Sequence, residues 1–306
     1  MTFLAHRSAA MLGWTAMVTG ALFTPPARAA AQVAIETQPA VVTRGRLARL
    51  RVVPTVADLV TRIEGSIAGE PLHLWTANAV TWSGLAAVPI DATDSVPVTL
   101  VLHRSGGADT VGTHLTTIAP VVAMERLSVA PKMAQPDSAA RVRIAKETAL
   151  ARAVSRASHE TLRLWREPVL LPRASRITST FGAGREFNGK VMSRHLGTDL
   201  AGEVGDPVTA PTDGRVVLVA DFYLAGKVVY LDHGEGLVTA YFHLSRASVS
   251  EGQMVRAGDP IGEVGQSGRV TGPHLHWVMR YGNVSVDPMS AVALLGDTTG
   301  TALGGP

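Results

Sequence analysis

The sequence predicts a mostly β protein. We expect a C-terminal antiparallel β sandwich or partly closed barrel, preceded by a helical connector and a small N-terminal Ig-like β sandwich. Short β-prone runs alternate with turn residues over two long stretches, and one stretch between them has helical propensity instead. The 30 glycines and the charged fraction of 17% suit a strand-rich chain. At 306 residues the chain exceeds one average domain, so we expect more than one.

The amino terminus has the pattern of an export signal. The basic pair His6-Arg7 precedes an apolar run from Ala9 to Phe23, and two prolines and small residues follow. This order predicts a signal peptide over residues 1–31, cleaved after Ala29 or Ala31. An uncleaved anchor is the alternative, but the run is short for a bilayer and ends in prolines. We therefore expect a protein of the periplasm or the extracellular space, with no stable membrane insertion after cleavage.

Residues 32–120 are predicted to form the Ig-like accessory sandwich. Their β-prone runs are short and separated by turn residues, as in a small antiparallel sandwich. The runs are Val41-Val42, Leu47 to Val53, Leu72 to Trp75, Trp82 to Ile90, Val96 to Leu102 and Val111 to Ile118. The histidines His73, His103 and His114 are scattered, and each is interpreted as a surface or strand-packing residue. The sequence does not indicate what this domain binds.

Residues 121–168 are predicted to be a linker followed by an amphipathic helix. The first part, to Pro136, is irregular. Asp137 is a credible N-cap, and the Ala-, Arg- and Glu-rich run after it predicts a helix to about Trp165, stopped by Pro168. The predicted packing stripe is Val142, Ala145, Ala149, Ala153 and Ala157. A spacer that docks one domain on the other is the simplest role.

Residues 169–295 are predicted to be an all-β domain, and 296–306 a disordered tail. Turn signals such as Asp213-Gly214 and Tyr281-Gly282 recur through the domain. The apolar, β-prone runs between them are Arg215 to Ala220, Val228 to Asp232, Leu237 to His243, Pro260 to Val264 and His274 to Arg280.

Composition excludes several functions. The chain has no cysteine, so a metal must be held by His, Asp or Glu. The net charge of +3 is too small to argue for nucleic acid. The positive charge is concentrated on the connector, with nine Arg and Lys against three Glu between Arg141 and Arg176. This excess is either a solvated helix face or a surface that attracts an anionic polymer such as a cell wall.

The chemistry-bearing residues lie in the second domain. His195 and Asp199 are four residues apart, and His274 and His276 are two apart, so on extended segments each pair shares one face. His243 ends an apolar strand. A zinc hydrolase needs three protein ligands, a position for water, and groups that move protons, and His/His/Asp is a suitable ligand set without cysteine. Spacing alone leaves open which of His274 and His276 is the ligand.

These motifs carry a family resemblance. The domain resembles the M23 family of zinc metallopeptidases, the lysostaphin-like or LytM-type peptidoglycan endopeptidases, over roughly residues 170–295. The matching motifs are His195-x-x-x-Asp199, Phe242-His243-Leu244 and His274-x-His276. Framework segments agree in order: Thr180-Phe181-Gly182, Gly205-Asp206-Pro207-Val208, Ala210-Pro211, Asp213-Gly214, Leu231-Asp232-His233-Gly234 and Val255-Arg256-Ala257-Gly258-Asp259.

The resemblance implies roles for five residues. It implies that His195, Asp199 and His276 bind one Zn²⁺, and that His243 and His274 activate water and stabilise the tetrahedral intermediate. It also implies hydrolysis of peptide bonds in peptidoglycan stems or cross-bridges. The cleaved bond and the oligomeric state are not indicated.

One feature departs from the family. Several members place a tyrosine shortly before the first ligand histidine to stabilise the oxyanion, and Phe181 to Arg194 contains none. Arg185, Asn188 or Tyr223 is a candidate substitute, unless the two histidines suffice. His233 lies in a glycine turn and is interpreted as structural or exposed.

Two alternatives come from other classes of protein. The first is a non-catalytic wall-binding regulator of other hydrolases, acting with a protein partner; the presence of every ligand residue argues against it. The second is a lipoyl- or biotinyl-type carrier. A carrier needs a lysine at a hairpin tip, and the domain's only lysines, Lys190 and Lys227, are not in that context.

Overall fold

The structure, a computed structural model, describes residues 33–55, 59–78, 80–189 and 191–296. The predicted signal peptide and, apart from Gly296, the predicted disordered tail lie outside these residues. Strands dominate the described chain, which confirms the mostly β fold class. No helix in this part of the chain combines the length and apolar character needed to cross a bilayer.

The described residues before 119 form two sheets. Their strands are β1 (Val33–Gln38), β2 (Val42–Thr43), β3 (Leu47–Pro54), β4 (Val60–Ile67), β5 (Glu70–Leu72), β6 (Trp75–Thr76), β7 (Trp82–Ala87), β8 (Ser95–Arg104) and β9 (Gly107–Ile118). The sheet orders are β1-β3-β7-β6 and β2-β9-β8-β4-β5. Along β8, Val98 and Leu100 are buried and Pro97 and Thr99 are exposed, the period of two of a half-buried strand. The buried residues share a core with Leu50 of β3, so the sheets pack face to face.

The connector contains more structure than the sequence indicated. Its elements are β10 (Met124–Leu127), the one-turn helix α1 (Pro131–Ala134) and α2 (Ser138–Ala157). The prediction of an irregular linker before the helix was therefore incomplete. The predicted N-cap is confirmed, because the Asp137 carboxylate accepts a 2.8 Å hydrogen bond from the Ala140 amide.

Helix α2 ends earlier than predicted. It stops at Ala157 and is followed by a 3₁₀ turn at Ser158–Glu160, whereas the sequence predicted a helix to about Trp165. Tertiary hydrogen bonds replace the helical ones: the Ser158 hydroxyl donates to Asp232, and the Trp165 amide donates to the His233 carbonyl oxygen. The chain therefore docks on the sheet in an extended form, and burial of the Trp165 ring stabilises it there.

The predicted packing stripe of α2 was also wrong. Val142, its first member, is 57% exposed. The buried positions are Ala140, Ala151 and Ser155, on a different face. Alanine occurs at so many positions of this helix that several stripes have the same spacing, and contact with the sheet selects among them.

The remaining strands build the C-terminal sheets. They are β11 (Ile177–Ser179), β12 (Gly184–Phe187), β13 (Val191–Arg194), β14 (Thr198–Ala201), β15 (Pro207–Thr209), β16 (Gly214–Phe222), β17 (Gly226–Gly234), β18 (Leu237–Leu244), β19 (Arg246–Ala247), β20 (Met254–Val255), β21 (Pro260–Glu263), β22 (His274–Tyr281) and β23 (Val284–Val286), followed by helix α3 (Pro288–Leu295). The large antiparallel sheet has the order β11-β14-β22-β18-β17-β16-β20, with β23 also paired to β22. Two small sheets flank it, β10-β12-β13 and β15-β21-β19.

The main core lies behind the central strands of the large sheet. Tyr241 of β18 and Leu275 and Trp277 of β22 are fully buried in it. Leu47 and Leu85, from the N-terminal sheets, belong to the same core. The N-terminal strands therefore pack directly against the structure that carries β22.

Candidate functional site

Strand register places three of the five predicted site residues side by side. In the antiparallel pair β14 and β22, Asp199 lies opposite His276 and Ala201 lies opposite His274. Directly opposite residues of such a pair present their side chains on one face of the sheet. The strand β18 is the other neighbour of β22, with Phe242 opposite His276. The register therefore gathers the histidines around one carboxylate.

Three donor atoms converge at this point. The Nε2 atom of His195 lies 3.0 Å from Oδ1 of Asp199, and Nδ1 of His276 lies 2.7 Å from the same oxygen. The two ring nitrogens are 2.9 Å apart. All three residues are buried. Within the described chain, they are the one set of three His, Asp or Glu donors close enough to share a metal ion.

The protonation of His195 makes this set suited to a cation. Its Nδ1 lies 2.9 Å from the carbonyl oxygen of Thr180, which only accepts, so Nδ1 carries the ring proton. The Nε2 atom is then bare and faces Asp199 Oδ1, another acceptor. Two acceptors 3.0 Å apart with no proton between them repel each other unless a cation lies near both. The donor set therefore fits a metal ion.

The other two predicted residues flank the donor set. The rings of His243 and His274 have centroids 5.0 Å apart, and His243 lies 5.8 Å from the His276 ring. Nδ1 of His243 donates to the Ser267 carbonyl oxygen at 2.8 Å, and Nδ1 of His274 donates to that of Gly272 at 2.9 Å. Both rings therefore keep Nε2 bare. That atom of His274 lies 3.7 Å from Asp199 Oδ1.

His243 has an unusual backbone conformation. Its φ is 62°, in the left-handed region that few residues other than glycine adopt. The pairing of β17 with β18 shifts register between Lys227 and Val229, next to this residue. Such a bulge re-aims a side chain, and here it accompanies a strained residue at a candidate site.

Burial sets the charges of the site. Burial opposes ionisation of Asp199, but its close contacts with the His195 and His276 rings outweigh burial and hold the pKa of this carboxyl well below its usual value. Burial lowers the pKa of His276 to about 4. Burial also holds the pKa of His243 well below its usual value. At neutral pH these two rings are uncharged, the form in which a ring nitrogen has a free lone pair.

A second layer of contacts involves residues that the sequence did not assign to the site. The Arg185 guanidinium donates to Asp199 Oδ2 at 2.5 Å, to the Ser179 hydroxyl at 2.9 Å and to Glu125 at 2.9 Å. Arg185 was a candidate for oxyanion stabilisation, but its Nε and Nη2 donors are directed to these three groups. Ser179 and Glu125 were missed. No sequence signal marks Glu125, because Met124–Leu127 contains no recognisable motif and no regular alternation of apolar and charged residues.

The other candidates lie elsewhere. The side chain of Asn188 bonds the backbone of Val129, and the Tyr223 hydroxyl donates to the Lys132 carbonyl oxygen. His233 is buried and bonds the Asp213 carbonyl oxygen and Thr239, so its structural interpretation holds.

Two pockets lie beside the histidines of the candidate site. The first, beside His243 and His274, has charged residues in its lining: Glu125, Arg176, Arg185, Glu203 and Arg269. The second begins at His276 and runs between α2 and the large sheet, with a mostly apolar lining: Ile144, Leu196, Phe222, Tyr230, Phe242 and Val278. Helix α2, predicted to be a spacer without chemistry, therefore forms one wall next to the site.

Fold and site together define a β domain with a candidate metal site. Residues 193–288 match the family model described as Peptidase family M23. The match contains the five predicted site residues and excludes Glu125, Ser179 and Arg185.

Relatives of known name are similar over the same domain. Peptidoglycan DD-endopeptidase ShyB of Vibrio cholerae is 39% identical over 117 residues, which cover 38% of this chain and 27% of that protein. Peptidoglycan DD-endopeptidase ShyA of the same organism is 41% identical, with the same coverage. The chain therefore spans about a quarter of the length of these curated relatives.

One solved structure is similar over most of the described fold. It is a putative M23 peptidase from Pseudomonas aeruginosa, with a TM-score of 0.59 and 24% identity, covering 82% of this chain and 95% of that one. At this identity the likeness concerns the fold alone.

Proposed function

We propose that this protein is an exported zinc-dependent endopeptidase that cleaves peptide bonds in peptidoglycan. The observation that supports this most is the convergence of His195, Asp199 and His276 beside two histidines whose Nε2 atoms are bare. The match of residues 193–288 to the Peptidase family M23 model supports it too. The names of the relatives extend the proposal to D,D cross-links between stem peptides. The predicted signal peptide supports action in the periplasm or outside the cell.

In this proposal, the ligand atoms are Nε2 of His195, Oδ1 of Asp199 and Nδ1 of His276. A zinc ion bound there supplies Lewis acidity that activates water and polarises the scissile carbonyl group. The carboxylate of Asp199 provides the negative charge. The Thr180 carbonyl oxygen holds His195 in the tautomer that leaves Nε2 free to bind.

His243 and His274 move the protons. Their Nδ1 atoms are occupied by backbone carbonyl oxygens, so each ring works through Nε2. One Nε2 accepts a proton from the attacking water and passes it to the leaving amine. The other, once protonated, donates a hydrogen bond to the oxyanion of the tetrahedral intermediate. The low pKa of His243 keeps it in the accepting form near pH 7.

The test measures release of soluble muropeptides from purified sacculi. The purified full chain is incubated with sacculi, with chelator, and with chelator followed by excess zinc. We expect release that chelator abolishes and zinc restores, and no release by His195→Ala or His276→Ala. The full chain is needed because the strand β10, upstream of the matched domain, lies against the site.

The alternative function, a non-catalytic regulator of other wall hydrolases, predicts a different result. Such a protein would release no muropeptide from sacculi even with zinc restored, and it would instead raise the release caused by an added wall hydrolase. That outcome would contradict the proposed peptidase.

A further inference from the structure

We propose that Glu125, on the connector upstream of the family domain, is a positioning residue for the metal site. It contacts no substrate and acts through two intermediaries, Ser179 and Arg185. This inference rests on the proposed function, because it concerns how the same three ligands are held.

The first observation is that each carboxylate oxygen of Glu125 reaches a different ligand. Its Oε1 accepts a hydrogen bond from the Ser179 hydroxyl at 2.6 Å. The same hydroxyl oxygen lies 3.0 Å from Nδ1 of His195, whose one proton it shares with the Thr180 carbonyl oxygen. Oε2 of Glu125 accepts a hydrogen bond from Nε of Arg185 at 2.9 Å. Nη2 of Arg185 in turn donates to Asp199 at 2.5 Å. Two of the three ligands are thus tied to one carboxylate.

The second observation is that the backbone holds Glu125 at this place. Strand β10 pairs in parallel with β12, and Glu125 lies in register with Arg185. The Gly184 amide donates to the Ala123 carbonyl oxygen and extends the ladder. The side chains of Glu125 and Arg185 are 22% and 16% exposed, so water competes only weakly for the ion pair.

Charge gives this arrangement a consequence for metal binding. Without Glu125, the Arg185 guanidinium would neutralise Asp199, and this proposed ligand of a dication would bring no net negative charge to the site. With Glu125 present, the Glu125–Arg185–Asp199 group carries one net negative charge. Removal of the Glu125 charge therefore weakens cation binding and loosens the ligand geometry.

The test compares zinc affinity in the full chain, measured by chelator competition. Glu125→Gln keeps the shape and removes the charge, and we expect its zinc dissociation constant to rise about tenfold, the lower end for groups behind a ligand. The matched control is Glu186→Gln on the paired strand, because Glu186 faces Arg126 on the exposed side. We expect the control to match the unmutated protein.

Two further variants keep the test decisive if Glu125→Gln folds poorly by circular dichroism. Arg185→Lys keeps a positive charge but loses the fork that bridges two carboxylates, and Ser179→Ala cuts only the branch to His195. Both are expected to weaken zinc binding severalfold. The Glu125→Gln/Arg185→Lys double variant is expected to lose less than the product of the single losses, because the two residues act in one chain of contacts.

The outcomes separate this proposal from the proposed function. Suppose that the unmutated protein binds one zinc ion tightly and that the dissociation constants of the three single variants lie within twofold of that of Glu186→Gln. The role of Glu125 is then refuted and the peptidase proposal stands. If the unmutated protein binds no zinc, both are refuted.

Discussion

Nδ1 of His243 and the carbonyl oxygen of Ser267 lie 2.8 Å apart. Because the carbonyl oxygen only accepts, this contact decides which ring nitrogen of His243 carries the proton. It leaves Nε2 bare on the ring that stands opposite His274. A backbone group on the loop between β21 and β22 thus sets the tautomer of a side chain on β18.

The first prediction concerns His243. His243→Asn should lower the rate of muropeptide release by about 10²- to 10⁴-fold, because a proton-transfer group is lost. Asparagine tolerates the left-handed backbone at this position, so the fold should persist. Zinc content should be unchanged, since His243 is not one of the three donors. The control is His114→Asn, a substitution at an exposed strand residue. If His243→Asn keeps more than a tenth of the rate of muropeptide release, the proton-transfer role of His243 is contradicted.

The second prediction concerns Gly197, between the two proposed ligands His195 and Asp199. A Cβ atom there would lie 2.6 Å from the Trp277 carbonyl oxygen and 2.8 Å from Nε2 of His276. Gly197→Ala should therefore displace the His276 ring, weaken zinc binding and destabilise the fold by about 1 to 3 kcal/mol.

The control for Gly197 is Gly272→Ala, near the same site. A Cβ atom at Gly272 would have nothing within 4 Å, and the carbonyl oxygen that His274 uses would remain. Denaturant unfolding and zinc titration measure both variants. Equal effects of the two substitutions would show that crowding of His276 is not the cause.

The third prediction concerns pH and His73. Burial, and then the neighbouring His159, lower the pKa of His73 from 6.5 to about 4. Between these values the unfolded chain binds a proton that the folded chain does not, so stability falls as pH falls from 6.5 to 4. Allowing for solvent at this half-buried ring, the loss is about 1 to 2 kcal/mol.

The measurement is denaturant unfolding of the metal-free protein between pH 4 and 7. His73→Asn should reduce the slope of stability against pH, while His114→Asn should leave it unchanged. A slope that His73→Asn does not alter would contradict the assignment to this residue.

The fourth prediction concerns Leu47, a residue of β3 that is 1% exposed in the core behind β22. Its amide also donates to the Ser290 hydroxyl on α3 at 3.1 Å. Leu47→Ala should lower the free energy of unfolding by about 2 to 5 kcal/mol. Hydrogen exchange should become faster in β22 as well as in β3. Leu162→Ala, at an 85% exposed position, is the control. Faster exchange in β3 alone would show that the N-terminal strands do not support the C-terminal sheet.

Much of the fold was predictable because the strands are amphipathic. Alternating burial in β8 follows the alternation of apolar and polar residues, and the Asp137 N-cap is a local signal. The end of α2 was not predictable, because the competing hydrogen bonds come from Asp232 and His233, which are distant in sequence. The same holds for the face of α2 that is buried.

The five proposed site residues were chosen from motifs, since metal ligands and proton-transfer groups need particular residue types at particular spacings. Ser179 and Glu125 had no such signal. A hydroxyl and a carboxylate are common on any surface, and their position behind the ligands depends on strand pairing across more than fifty residues.

The sequence by itself indicated which residues are candidates for the chemistry and that most of them lie on strands. For His274-Leu275-His276 it determined that both rings share one face, because side chains alternate along a strand. The tertiary structure alone decided that the connector belongs to the site. Parallel pairing of β10 with β12 is a non-local contact, and it brings Glu125 to Arg185 and through it to Asp199. No pattern within either segment specifies the other as its partner.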